Sequence, residues 1–270
     1  MLTAVLPPQD FHRVPWHRRR SFTVIEVACI VMVTLVLSLT AYARLLKPPP
    51  QIKWGLDPKY SELYSARFGP ERYSGGLEEY IIRDFFKDER DGSYVDVGAY
   101  HAREGSNTYR LERDFGWSGL AIDANPAFAP EYQQWRPRTK YIVAFIGRTN
   151  GGEATLNIPD AEDGAASGDA AFAGQFGPVT RTLKTGRRTL DSLLEERGIT
   201  AFDFLSMDIE TGEPDALSGF AIERYHPRLV CIEAHPSVRQ RILDYFTRAH
   251  YVLIGDYVAA DPLNYYFRPL

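Results

Sequence analysis

The side chains best suited to proton or metal chemistry gather in a few short runs. Asp208 and Glu210 follow the apolar run Phe202 to Met207, and Glu233 and His235 end the run Leu229 to Ala234. Asp96, His101 and Asp123 fall within Ser93 to Pro126. A carboxylate or imidazole at hydrogen-bond distance can take the proton of a weakly acidic hydroxyl as a new bond forms. His235 or Glu210 is the preferred base, Asp208 is expected to place substrate or cofactor, and His101 is a further candidate. Alternation along an extended chain puts Asp208 and Glu210 on one side. Asp208, Glu233 and His235 could instead hold a divalent ion, since hard cations take carboxylate oxygens, although no metal-spacing motif supports that alternative.

Such groups meet only if the chain folds so that strand ends converge. Tyr94, Val95 and Val97 are β-formers, and Gly98 follows at once, so an extended segment runs into a tight turn. Ser106 to Phe115 has helical spacing, and Leu120 to Ile122 makes a second apolar strand stopped by Asp123. Strand, crossover helix and parallel strand form half of a doubly wound sheet, whose ligands bind beyond the carboxyl ends of the strands. Asp123 lies about 25 residues after Gly98, where such sheets place an acid against ribose hydroxyls. The glycine triplet that cradles a pyrophosphate is missing, because the next glycine after Gly98 is Gly105. An adenosine ligand without phosphate, S-adenosylmethionine, explains both features, whereas the plain alternative is a strand end with a turn.

Asp96, Gly98, Ala99, Ser106, Asn107, Thr108, Gly116, Trp117, Gly119, Asp123, Asn125 and Pro126 together resemble the opening of the FkbM family of S-adenosylmethionine-dependent methyltransferases. The likeness continues through TLDSLLEERGITAFDFLSMDIETGEPDALSGF and covers roughly Tyr73 to Leu270. It implies a Rossmann-like class I methyltransferase fold, α/β, with a mostly parallel seven-stranded sheet and an antiparallel final strand. It also implies cofactor contacts from Glu78, Asp96, Gly98, Ala99, Ser106, Asn107, Asp123, Ala124, Phe145 and Asp208. The reaction expected is O-methylation, with a sugar or glycan hydroxyl as acceptor. Two motifs depart from the family: Thr211 stands where glycine is usual, and Gly75 and Leu77 alter the Ser74 to Glu78 signature.

Composition bounds the alternatives. At 270 residues, 44% hydrophobic and 13% aromatic, the chain can bury one substantial core. Residues 1 to 50 hold six Lys/Arg against two Asp/Glu, or +4, so the overall −4 leaves −8 for the rest. An acidic catalytic part argues against nucleic acid as partner. Two cysteines, Cys29 and Cys231, suggest neither a disulfide nor a zinc site.

The expected organisation is a basic cytosolic tail over 1–20, a signal anchor over 21–43, a Pro-rich stem over 44–72 and a methyltransferase domain over 73–270. Phe22 to Tyr42 is long and apolar enough to span a bilayer, so the membrane is an expected partner. Arg18 to Arg20 outweigh the charges behind the span and keep the amino terminus cytosolic. A Golgi enzyme with a lumenal domain is the favoured location, and a cytosolic domain is the alternative.

Further along, Tyr60 to Lys87 has helical spacing, and Tyr141 to Ile146 reads as a third strand with Gly147 at its end. Gly151 to Pro159 and Val179 to Leu190 read as paired strands flanking a small-residue loop, either a lid or slack. Thr189 is expected to cap a helix. Tyr251 to Asp256 and Asn264 to Arg268 should form the antiparallel pair. A metal-dependent glycosyltransferase using Asp208 and Glu210, or a non-catalytic cofactor-binding protein, are the competing functions.

Overall fold

The computed structural model describes residues 31–34 and 57–270, and its contacts divide the chain into Met1–Lys53 and Trp54–Leu270. In the first unit only Val31–Thr34 is described, as helix. Among the described residues no helix is long and apolar enough to cross a membrane. The span expected over Phe22 to Tyr42 lies outside the described residues apart from those four.

The second unit opens with α1 (Pro58–Phe68), started by Asp57, whose side chain accepts from the Lys59 N–H at 2.9 Å, and by a proline in the first turn. The sequence assigns these residues to a stem. Instead Tyr64 stacks on Tyr80 with centroids 6.1 Å apart, and the helix packs into the same core as α2 (Glu78–Phe86). The helical pattern from Tyr60 onward is thus two helices, parted at Gly69.

Seven strands form the main sheet in the order β3-β2-β1-β7-β8-β10-β9. They are β1 (Ser93–Val97), β2 (Ser118–Asp123), β3 (Thr139–Val143), β7 (Phe204–Met207), β8 (Leu229–Glu233), β9 (Tyr251–Leu253) and β10 (Asn264–Pro269). The first five pair in parallel, and β10 runs antiparallel to both β8 and β9. Strands β7 and β8 are buried along their whole length, as expected for parallel strands covered on both faces. Their period of two divides the core. Val95, Leu205, Met207, Val230 and Ile232 face α6 (Leu190–Glu196) and α8 (Arg239–Arg248). Tyr94, Phe204, Leu229 and Cys231 face α2, with Trp117. Each such side chain contributes about 1.5–3 kcal/mol on burial.

Three expected boundaries shift. The helix after β1, α3 (Tyr109–Phe115), starts later than Ser106, with Thr108 at its N-cap, and the Ser106 hydroxyl accepts from the Thr108 and Tyr109 N–H groups just ahead of it. The third strand breaks at Ala144, whose N–H donates to the Asp123 carbonyl at 2.9 Å. Beyond it β4 (Phe145–Ile146) joins a separate sheet with β5 (Glu153–Pro159) and β6 (Val179–Arg188), the latter two paired as expected, in antiparallel. The segment read as extended to Asp256 ends at Leu253, and α9 (Gly255–Ala260) follows. Thr189 caps α6 as expected, its side chain accepting from Ser192 N–H at 3.2 Å.

Candidate active site

The ends of β1 and β2 are laced together. Gly98 and Ala99 donate their N–H groups to the Ile122 carbonyl at 2.9 and 3.2 Å. Gly98 has φ +78°, and a Cβ there would lie 1.6 Å from the Asp208 carbonyl oxygen, so only glycine fits. Asp123 ends β2 with both carboxylate oxygens fixed: one accepts from Tyr100 N–H at 3.0 Å, the other from Asn125 N–H at 2.8 Å. Burial raises its pKa to about 6 against the restraining effect of those donors. Each oxygen keeps a lone pair for a ligand.

A cleft opens beside this turn. Gly98, Asp123 and Ala124 line it at the ends of β1 and β2, Phe145, Ile146 and Leu156 supply apolar lining, and Asp208 and Glu210 line it beyond the end of the adjacent β7. Among the described residues no lysine or arginine lines it. That chemistry suits an adenosine carrying a positive charge and offers nothing to a diphosphate. Gly98, Asp123, Ala124, Phe145 and Asp208 are thereby brought together as the sequence suggests.

The other expected cofactor contacts are not among the lining residues. Asp96 is buried and accepts from Thr108 Oγ1 at 2.8 Å, while Asn107 Nδ2 donates to Ser206 Oγ at 3.1 Å and Ser106 Oγ accepts from Tyr109 N–H at 3.1 Å. Together with Ala99 they brace the turn from behind. Glu78 Oε2 accepts from Gly76 N–H at 2.7 Å and its Oε1 from Asn264 at 3.0 Å; burial, then Asp261, push its pKa up to about 7.

Beyond the ends of β7 and β8, one carboxylate oxygen each of Asp208, Glu210 and Glu233 lies within 4.8 Å of the other two. Strand alternation does not gather them. After Met207 the chain leaves extended geometry, and Glu210 and Thr211 take φ of +53° and +75°. Thr211 thus occupies a left-handed position where the family pattern has glycine, a conformation rare for a β-branched residue. The turn still closes, with Ile209 N–H donating to Glu213 Oε1 at 3.0 Å. Asp208, open to the cleft by its surface yet shielded by the walls around it, rises to about 6, and burial reinforced by neighbouring acids raises Glu210 to about 9 and Glu213 to about 8 and lifts Glu233 well above the carboxylate range.

Neither histidine lines the cleft. His101 Nδ1 contacts Glu131 Oε1 at 2.8 Å and its ring packs on Tyr100 and Phe128. His235 Nδ1 meets Ser237 Oγ at 2.7 Å, its ring lies edge-on to Phe172, and burial followed by Arg239 lowers its pKa. The imidazole expected beside Asp208 and Glu233 is therefore replaced by the Glu210 carboxylate.

Sequence reasoning did not assign the small-residue segment 161–177 to the cleft wall. Tyr100 OH donates to Asp163 Oδ1 at 2.8 Å, Ser167 Oγ donates to the Glu210 carbonyl at 2.7 Å, and Asp163, Gly164, Ala166 and Gly168 line the cleft. The signal was its glycine: a Cβ on Gly168 would lie 2.7 Å from the Phe145 ring.

Residues 96–253 match the Methyltransferase FkbM domain, which is more than half of the chain. Similar solved folds include a TehB-like SAM-dependent methyltransferase from Corynebacterium glutamicum, 17% identical, covering 79% of this chain and 100% of that one with TM-score 0.41. A 1,6-didemethyltoxoflavin-N1-methyltransferase from Burkholderia thailandensis, solved with S-adenosylhomocysteine, is 12% identical over 93% of this chain and 91% of that one, TM-score 0.32. A search of curated proteins gives no match. Fold likenesses this distant carry no argument, so membership rests on the domain match: the chain belongs to the FkbM-domain family of S-adenosylmethionine-dependent methyltransferases.

Proposed function

We propose that this methyltransferase methylates a hydroxyl group, that of a sugar or glycan, with the acceptor placed against Asp208, Glu210 and Glu233. The observation that carries the reading is a cleft without basic residues that runs from the fixed Asp123 carboxylate to a cluster of acids. Gly98, Asp123, Ala124 and Phe145 would hold the adenosine, and Asp208 would face the charged end. The bound donor supplies an electrophilic methyl carbon on a cationic sulfur.

The chain's own work is alignment and proton handling. A sugar hydroxyl needs a base, and burial has made Glu210 a far stronger proton acceptor than an ordinary glutamate. A positive charge entering the cleft favours the ionised forms of these acids, so Glu210, which burial alone would keep protonated, is released as the carboxylate that takes the proton when the site is loaded. The glycosyltransferase alternative fits less well, because a nucleotide sugar brings a diphosphate and the cleft wall offers it no cation.

Anchoring belongs to the same proposal and rests on sequence alone: Phe22 to Tyr42 as the single span, Arg18 to Arg20 holding the amino terminus in the cytosol, and a Golgi lumenal domain, with a cytosolic one as alternative. The full chain incubated with methyl-labelled donor and a panel of glycans should release S-adenosylhomocysteine and label a glycan hydroxyl. Label appearing only on amines, or on no acceptor, would reject the assignment.

A further inference from the structure

We infer that Asp208, Glu210 and Glu233 form a binding site for one hard divalent cation, of the Mg²⁺ or Mn²⁺ class, at the acceptor end of the cleft. Oxygens surrounding such an ion at about 2.0–2.6 Å stand about 4–5 Å apart across it, and the three carboxylates already lie within 4.8 Å of one another. The donors are all carboxylate oxygens, which select a hard ion over zinc or copper.

An independent feature points the same way. Glu233 is only 5% exposed, yet its Oε2 has no hydrogen-bond partner, and a buried acceptor left unpaired is costly. Other buried carboxylates away from this cluster are satisfied, since Asp123 uses both oxygens and Glu112 is held by Arg136, whereas Glu213 Oε2 in the neighbouring turn is unpaired like Glu233 Oε2. The three cluster acids have no such counter-cation among the described residues, and the charges that perturb them are other acids: Asp96, Asp261, Glu162 and Glu213 besides each other. Either protons or a cation must neutralise the group. Asp208 opens to the cleft and gives an ion its way in. The role of the ion rests on the methyl-transfer reading: it would draw the acceptor hydroxyl oxygen and ease loss of its proton to the Glu210 oxygen that the ion leaves free.

The test is Mn²⁺ titrated into the metal-stripped full chain, with free Mn²⁺ followed by electron paramagnetic resonance. One ion should bind per chain, and Glu233→Gln should weaken it at least about tenfold. Asp208→Asn, at an open position, should do the same, and it decides the matter if Glu233→Gln does not fold by circular dichroism. His235→Asn should leave Mn²⁺ affinity unchanged. No bound Mn²⁺, or binding untouched by the carboxylate substitutions, overturns the inference and means that protons alone neutralise the cluster. S-adenosylhomocysteine titrated into the same stripped chain reports separately on the methyl-transfer reading: its uptake without Mn²⁺ binding rejects the ion alone, and Mn²⁺ binding without its uptake rejects that reading alone.

Discussion

The two ends of the cleft carry the same functional group in opposite states. At the β2 end, Asp123 is one carboxylate with each oxygen already held by a backbone N–H, so its position is set before any ligand arrives. At the β7 and β8 ends, three carboxylates crowd together, one with a buried orphan oxygen, and no lysine or arginine of the described chain answers them. The first end is finished and serves recognition. The second is electrostatically incomplete, and it is completed by whatever positive charge or proton the reaction brings.

Substitutions at each end should therefore fail differently. Glu210→Gln, at the incomplete end, should cut turnover by about 10²–10⁴ while donor affinity in calorimetry changes less than about threefold. A matching loss of donor affinity would erase the distinction between the ends. Gly98→Ala should cost more than about 2 kcal/mol of folding stability by denaturant titration, because the new methyl meets the Asp208 carbonyl at a left-handed backbone position. Asp123→Ala should lower donor affinity about 10–100-fold and leave the cluster's acid–base behaviour in place.

The smallest effect concerns pH. The usual Glu213 value of 4.5 rises to about 8 on folding, mainly through burial. Below about pH 4.5 both states hold the proton and the shift costs nothing; from there to about 8 the unfolded chain has released a proton that the folded chain keeps, so stability falls as pH rises, and the loss is complete above about 8. Glu213→Gln keeps an oxygen for the Ile209 N–H and removes that slope. In metal-stripped protein its melting temperature should fall a few degrees less than wild type between about pH 5 and 8.

The finished end was the more legible from sequence. A β-run, a glycine and an acid at the right distance are local signals, and Gly98, Asp123 and the strand order between them follow from them. The break at Ala144 was not legible, because Tyr141 to Ile146 is uniformly apolar and only the pairing partner changes, from β2 to β6. The helix α1 was legible only in part: Tyr60 onward has helical spacing, but the sequence leaves its place in the domain to a stem until Tyr64 finds Tyr80. At the incomplete end the acids were named, but the grouping that includes Glu210 depends on two consecutive left-handed residues that no glycine announces. The histidines attracted attention by residue type, and local partners, Glu131 and Ser237, account for their positions.

Calorimetric titration of S-adenosylmethionine into the full chain and into Asp123→Ala tests most directly that this cleft is the donor site. The account predicts one donor per chain, bound about 10–100-fold more weakly by the variant. Equal affinity in a folded variant, or no uptake by either protein, would contradict it.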